Sequence, residues 1–74
     1  MTVIKPRTEA IKFELVKNGL TLAEFSKMIN YNRSYLSLVI NGKRSLSPKT
    51  ASVIAKTLGK ELEELFDIKQ KEVN

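Results

Sequence analysis

The sequence predicts an all-α fold, a compact bundle of about five short helices. Three observations point to it. Capping residues stand directly ahead of apolar runs with helical spacing. Glycines at 19, 42 and 59 punctuate those runs. No stretch alternates apolar and polar residues with period two between hairpin turn pairs.

The first helix is expected to begin near Pro6 or Arg7, because proline is tolerated in a first helical turn. Ile11 and Leu15 share one face, and Asn18-Gly19 closes the helix through a left-handed cap. Thr21-Leu22-Ala23-Glu24 then reads as a capping box: the Thr21 hydroxyl meets a free N–H and Glu24 reaches back. This second helix carries Ala23, Phe25 and Met28 and ends near Ile29-Asn30, where asparagine can take the left-handed conformation of a sharp turn. Asn32 caps a third helix, Arg33 to about Ile40, whose buried stripe is Leu36, Val39 and Ile40. Gly42 closes it, and Lys43-Arg44-Ser45-Leu46 forms a basic loop. Ser47 with Pro48 behind it starts a fourth helix bearing Ala51, Ile54, Ala55 and Leu58, which stops at Gly59. A last short helix spans roughly Glu61 to Phe66, with Leu62, Leu65 and Phe66 turned inward.

A chain of 74 residues makes one domain, with a core over about 7–66 and flexible ends expected at 1–5 and 67–74. There is no cysteine and no histidine, which excludes a disulfide framework, a zinc finger, a cysteine nucleophile and a histidine base. Serines and threonines are plentiful, but no histidine or cysteine is there to activate or replace them; a Ser-Lys arrangement stays open in the sequence with nothing to suggest a pocket, so an enzyme is not expected. Nor is a cofactor or small-molecule ligand: no metal cluster or glycine-rich phosphate loop can be read. No secretory leader or membrane span is read, which makes the cytoplasm the expected compartment.

Charge is distributed unevenly. Thirteen basic residues against eight acidic ones give a net charge of +5. Residues 1–50 carry nine basic and three acidic side chains, whereas residues 51–74 carry four and five. Between Glu24 and Glu61 no acid occurs. A basic face of this kind suits a phosphate-rich partner. Single-stranded nucleic acid is disfavoured because the aromatic stacking platform is missing, and a membrane surface because the apolar face is used for the core.

The second and third helices, joined by Ile29-Asn30-Tyr31, make a helix-turn-helix over about 21–41. A major groove about 12 Å wide admits one helix, whose N-terminal residues meet base edges while its neighbour crosses the backbone. The ordered set Gly19-Leu20-Thr21-Leu22-Ala23-Glu24-Phe25-Ser26, Ser34-Tyr35-Leu36-Ser37, Asn41-Gly42-Lys43-Arg44, Ser47-Pro48 and Ala55-Lys56-Thr57-Leu58-Gly59 resembles the lambda-repressor-like helix-turn-helix family, of the Cro, phage-repressor and XRE type. The resemblance covers about residues 7–66.

That resemblance implies a regulator of transcription that binds double-stranded DNA. It turns Arg33, Ser34, Ser37 and Leu38 toward base edges, with Arg33 on a guanine or else on a phosphate. Leu38 is read as a contact for a thymine methyl or as a plain exposed apolar residue. Thr21, Asn32, Tyr35, Asn41, Lys43 and Arg44 fall where family members grip phosphates. Tyr31 and Tyr35 either give hydroxyls to phosphates or pack against neighbours. The resemblance further implies a homodimer, formed in solution or only on DNA, through the C-terminal helix and its Leu62, Leu65 and Phe66.

Four positions depart from the family pattern. Leu22 stands where many members have a phosphate-binding glutamine. Ser26 replaces an alanine at a tight helix contact, with its hydroxyl expected to bond back to the helix. Leu15 and Ile40 occupy the sites of a common arginine–glutamate pair and are expected to meet in the core instead. The competing reading is a protein-binding module on the same fold, of antitoxin or antirepressor type. It would use an exposed apolar patch drawn from Val3, Ile4, Leu38, Leu46 and Phe66.

Overall fold

Side-chain caps begin three of the five helices at the expected residues. In the structure, a computed structural model describing residues 2–70, the order is β1 (Thr2–Pro6), α1 (Thr8–Lys17), α2 (Leu22–Ile29), α3 (Arg33–Ile40), α4 (Pro48–Thr57), α5 (Leu62–Leu65) and β2 (Phe66–Gln70). The Glu24 N–H donates to Thr21 Oγ1 at 3.1 Å, and the Thr21 N–H donates to the Glu24 carboxylate at 3.0 Å, closing the capping box of α2. Asn32 Oδ1 accepts the Tyr35 N–H at 3.1 Å, and Ser47 Oγ accepts the Thr50 N–H at 3.2 Å with Pro48 at the first turn of α4. Asn30 takes the left-handed conformation at φ 59°, which lets α2 turn sharply into α3.

The core is one apolar cluster. Ile11 and Leu15 of α1, Phe25 of α2, Leu36 and Ile40 of α3, Ala51 and Ile54 of α4, and Leu65 and Phe66 at the C-terminal end are all buried together. Leu15 and Ile40 therefore share the core, as the loss of the charged pair requires. The Ser26 hydroxyl donates to the Ala23 carbonyl at 2.7 Å, so a buried serine is satisfied within its own helix. Thr8 Oγ1 donates to the Ile40 carbonyl at 2.6 Å, tying the start of α1 to the end of α3.

An all-α description needs correction. Residues 2–5 and 67–70, which fall within the ends expected to be flexible, pair together with Pro6 and Phe66 as two antiparallel strands. Residues 1 and 71–74 lie outside the described residues. The register sets Ile4 opposite Ile68, Lys5 opposite Asp67 and Pro6 opposite Phe66. β-Branched Val3, Ile4 and Ile68 suit extended backbone, and Pro6 sits at the strand end, where a missing N–H costs least. The pairing shifts two helix limits. Pro6 belongs to the strand, so α1 starts at Thr8 rather than at Pro6 or Arg7. Phe66 is extended (φ −136°, ψ 143°), so the last helix ends at Leu65. The Arg7 N–H continues the connection by donating to the Leu65 carbonyl at 2.8 Å.

Candidate nucleic-acid interface

The candidate surface runs along the exposed side of α3. Successive turns put Arg33 and Ser34, then Ser37 and Leu38, on the side opposite the buried Leu36, Val39 and Ile40. The structure brings all four together: they line one surface cleft with Thr21, Leu22 and Ala23 from the start of α2. Arg33 and Ser34 are exposed, Leu38 is 39% exposed and Ser37 is half-buried.

Caps leave specific hydrogen-bonding groups unspent. Asn32 uses its amide oxygen on the Tyr35 N–H, which leaves the amide N–H groups to donate elsewhere. The Thr21 hydroxyl oxygen accepts the Glu24 N–H and the Thr21 backbone N–H is taken by Glu24, so the hydroxyl hydrogen is shared between the Glu24 carboxylate and any phosphate that approaches. The Glu24 carboxyl is held below its ordinary pKa, first by the backbone N–H of Thr21, then by the Thr21 side chain, with Lys27 adding to the effect. It stays ionised to support the cap. Asn41 differs from the expectation in part. Its amide donates to the Ser37 carbonyl at 2.7 Å, closing α3, so one of its two amide hydrogens is already used.

The aromatic pair packs. Tyr31 and Tyr35 stack with ring centroids 6.2 Å apart at 17°, and the Arg44 guanidinium lies 5.5 Å over the Tyr35 ring. The Tyr31 hydroxyl is 3.4 Å from Thr50 Oγ1, itself 3.1 Å from Ser47 Oγ. Arg44 thus rests on Tyr35 of α3, in an exposed loop.

One basic neighbour escaped the sequence reading. Lys5 of β1 lines a common groove with Asn41, Lys43 and Arg44. Gly42 has φ +74°, a backbone conformation that favours glycine, and a Cβ there would stand 3.7 Å from Pro6 Cγ, so strand and loop are in ordinary contact at this turn. Nothing local signals this proximity, which depends on strand pairing.

The apolar residues on offer for a protein partner also change. Phe66 is 1% exposed and Leu65 1%, so both belong to this chain's own core and neither can form the dimer contact expected of them. Leu46 packs against the core, and Val3 and Ile4 are half-buried within β1. Among the described residues, the large exposed apolar side chains are Leu38, as expected, with Phe13 (64%) and Val16 (76%) on α1, Met28 and Ile68.

A family model described as helix-turn-helix matches residues 11–65. The chain belongs to this helix-turn-helix family, of the XRE, lambda-repressor-like type, a class of DNA-binding regulators of transcription rather than of enzymes. No curated protein and no solved structure matches the chain. Among the described residues, no helix is long and apolar enough to cross a membrane.

Proposed function

We propose that this chain is a sequence-specific repressor acting in the cytoplasm, of the small phage or mobile-element kind that includes Cro-like proteins. It reads a pseudo-palindromic operator by inserting α3 into the major groove. The observation that carries this reading is the shared cleft face of Arg33, Ser34, Ser37 and Leu38 along a capped helix. Arg33 takes a guanine edge. Thr21, Asn32, Tyr35, Asn41, Lys43 and Arg44 engage phosphates on either side, and Lys5 joins Lys43 and Arg44 from the strand. Two copies bind together on DNA; of the apolar residues in the C-terminal helix, Leu62 is the one that keeps surface for such a contact.

The test is in vitro selection from a random duplex library at about 0.15 M salt, where non-specific binding is weak. A pseudo-palindrome with half-sites about one helical turn apart is expected. Arg33→Ala should relax selection at one base of each half-site, and Lys43→Ala should weaken all sequences evenly. Failure to enrich any sequence would refute the proposal.

A second reading, a protein-binding module, is favoured by one observation: Phe13 and Val16 expose apolar surface on the same side of α1. Arg33→Glu with Arg44→Glu should abolish DNA binding and spare such a complex. Phe13→Asp with Val16→Asp should do the reverse.

A further inference from the structure

We infer that the exposed face of α1 is where two copies of this chain meet, with the two helices antiparallel across a twofold axis at Phe13. The second reading above gives this face to a different protein; its internal symmetry selects a second copy instead. The contact needs no DNA, so it can fail while the operator reading stands.

Two rows of side chains cross at Phe13. Ala10, Phe13 and Val16 are spaced by three and are apolar, whereas Glu9, Phe13 and Lys17 are spaced by four and end in opposite charges. Ile11 and Leu15 lie on the far side, in the core, so the helix is held with this face outward. Phe13 and Val16 are strongly exposed, Glu9 and Lys17 are exposed, and Ala10 is half-buried. Glu9, Ala10, Lys12, Phe13 and Val16 line one shallow surface, which shares no residue with the cleft between α2 and α3. Both surfaces are therefore open at once.

The pattern is self-complementary. Glu9 and Lys17 stand four residues to either side of Phe13, about 6 Å along the helix at about 1.5 Å per residue. When two helices cross at about −50°, their i, i+4 rows run parallel. Reversing one copy about Phe13 then sets Glu9 beside the partner's Lys17 at both ends of the row. The same operation lays Ala10, Phe13 and Val16 each on its own counterpart, which takes a continuous apolar row out of water and lets the two rings stack. A parallel pair would set Glu9 against Glu9 and Lys17 against Lys17, so like charges oppose it. The antiparallel contact uses one patch twice and closes at two copies. A phosphate backbone suits the face poorly, because Glu9 repels it and Phe13 and Val16 offer it no hydrogen bond.

The experiment is sedimentation equilibrium of the full chain without DNA, up to about 1 mM protein at about 0.15 M salt, where charges within about 8 Å still interact. One helix face is small beside a standard interface of about 1,600 Å², so a weak dimer with Kd of about 10–100 μM is expected. Glu9→Lys sets lysine against lysine, and Lys17→Glu sets glutamate against glutamate. Each alone should raise Kd about tenfold, because two exposed attractions become repulsions. An equimolar mixture of the two variants restores both opposite-charge pairs and should dimerise within about threefold of the wild type. Because the mixture contains the same two folded chains, its recovery cannot come from a change in the fold. Phe13→Ser should abolish the dimer. A wild type that stays monomeric at the highest concentration would overturn the pairing and leave the face to a different protein. Single variants that dimerise like the wild type would overturn it by placing the contact elsewhere. A mixture no tighter than its components would overturn the antiparallel arrangement. Operator selection, read by α3, is measured separately and stands or falls by itself.

Discussion

Replacing Asn32 tests the junction of fold and function most directly. Its amide oxygen accepts the Tyr35 N–H at 3.1 Å at the first turn of α3, on an exposed residue. Removing such a cap typically costs about 1 kcal/mol, within a range of about 0.5–2. At about 0.05–0.15 kcal/mol per residue, a chain of this length holds about 4–11 kcal/mol in all. Asn32→Ala should therefore lower Tm by about 4–8 °C in thermal unfolding followed by circular dichroism. Asn32→Asp separates the two roles. A carboxylate caps as well as an amide and sits at the positive end of the α3 dipole, so Tm should hold or rise. The carboxylate has no N–H to give a phosphate and repels it, so operator affinity should fall about tenfold or more. An Asn32→Ala variant melting with the wild type would refute the cap. An Asn32→Asp variant binding DNA like the wild type would refute the placement of this helix end against the backbone.

Three further outcomes follow from the structure. Because the folded Glu24 pKa lies below its ordinary value of 4.5, the unfolded chain binds more protons between the two values. The carboxylate's contribution is complete above about 4.5 and lost as pH falls through the lowered folded value. Urea midpoints from pH 6 to pH 3 should fall less steeply in Glu24→Gln, and equal slopes would count against the cap. Leu15→Ala opens a cavity in the shared core with Ile40 and should cost about 2–5 kcal/mol in urea unfolding; a cost under 1 would mean that the core does not close there. Phe66→Ala should cost about 3–5 kcal/mol, whereas Ile68→Thr, two residues on but 37% exposed, should stay within about 0.5. Equal effects would show that β2 is not seated as described.

The helices were legible because their signals are local. Thr21 and Glu24 are three residues apart, Asn32 and Tyr35 three, Ser47 and Thr50 three, and each pair bonds as its spacing requires. Asn30 likewise announces the turn through its own backbone preference. The candidate surface was legible for a related reason: Arg33, Ser34, Ser37 and Leu38 fall on one side because a helix turns every 3.6 residues, and they line one cleft. The basic window between Glu24 and Glu61 added the sign of the partner's charge.

Other features needed the folded chain. Strand pairing joins Thr2 to Gln70, residues whose five-residue segments carry too short a pattern to declare a strand. That pairing places Lys5 beside Lys43 and Arg44, and it turns Phe66 from a helix end and a candidate contact into core. Periodicity marks Leu65 and Phe66 as apolar on one face but not whose interior they fill. The same limit hid Phe13 and Val16: side chains of core type stay in solvent because α1 has only one neighbouring face to bury, and Ile11 and Leu15 occupy it. Local hydrogen-bonding geometry was thus written in the sequence by itself. Contacts between distant segments, and so the final ownership of each apolar surface, were decided only when the helices and the two chain ends closed on one core.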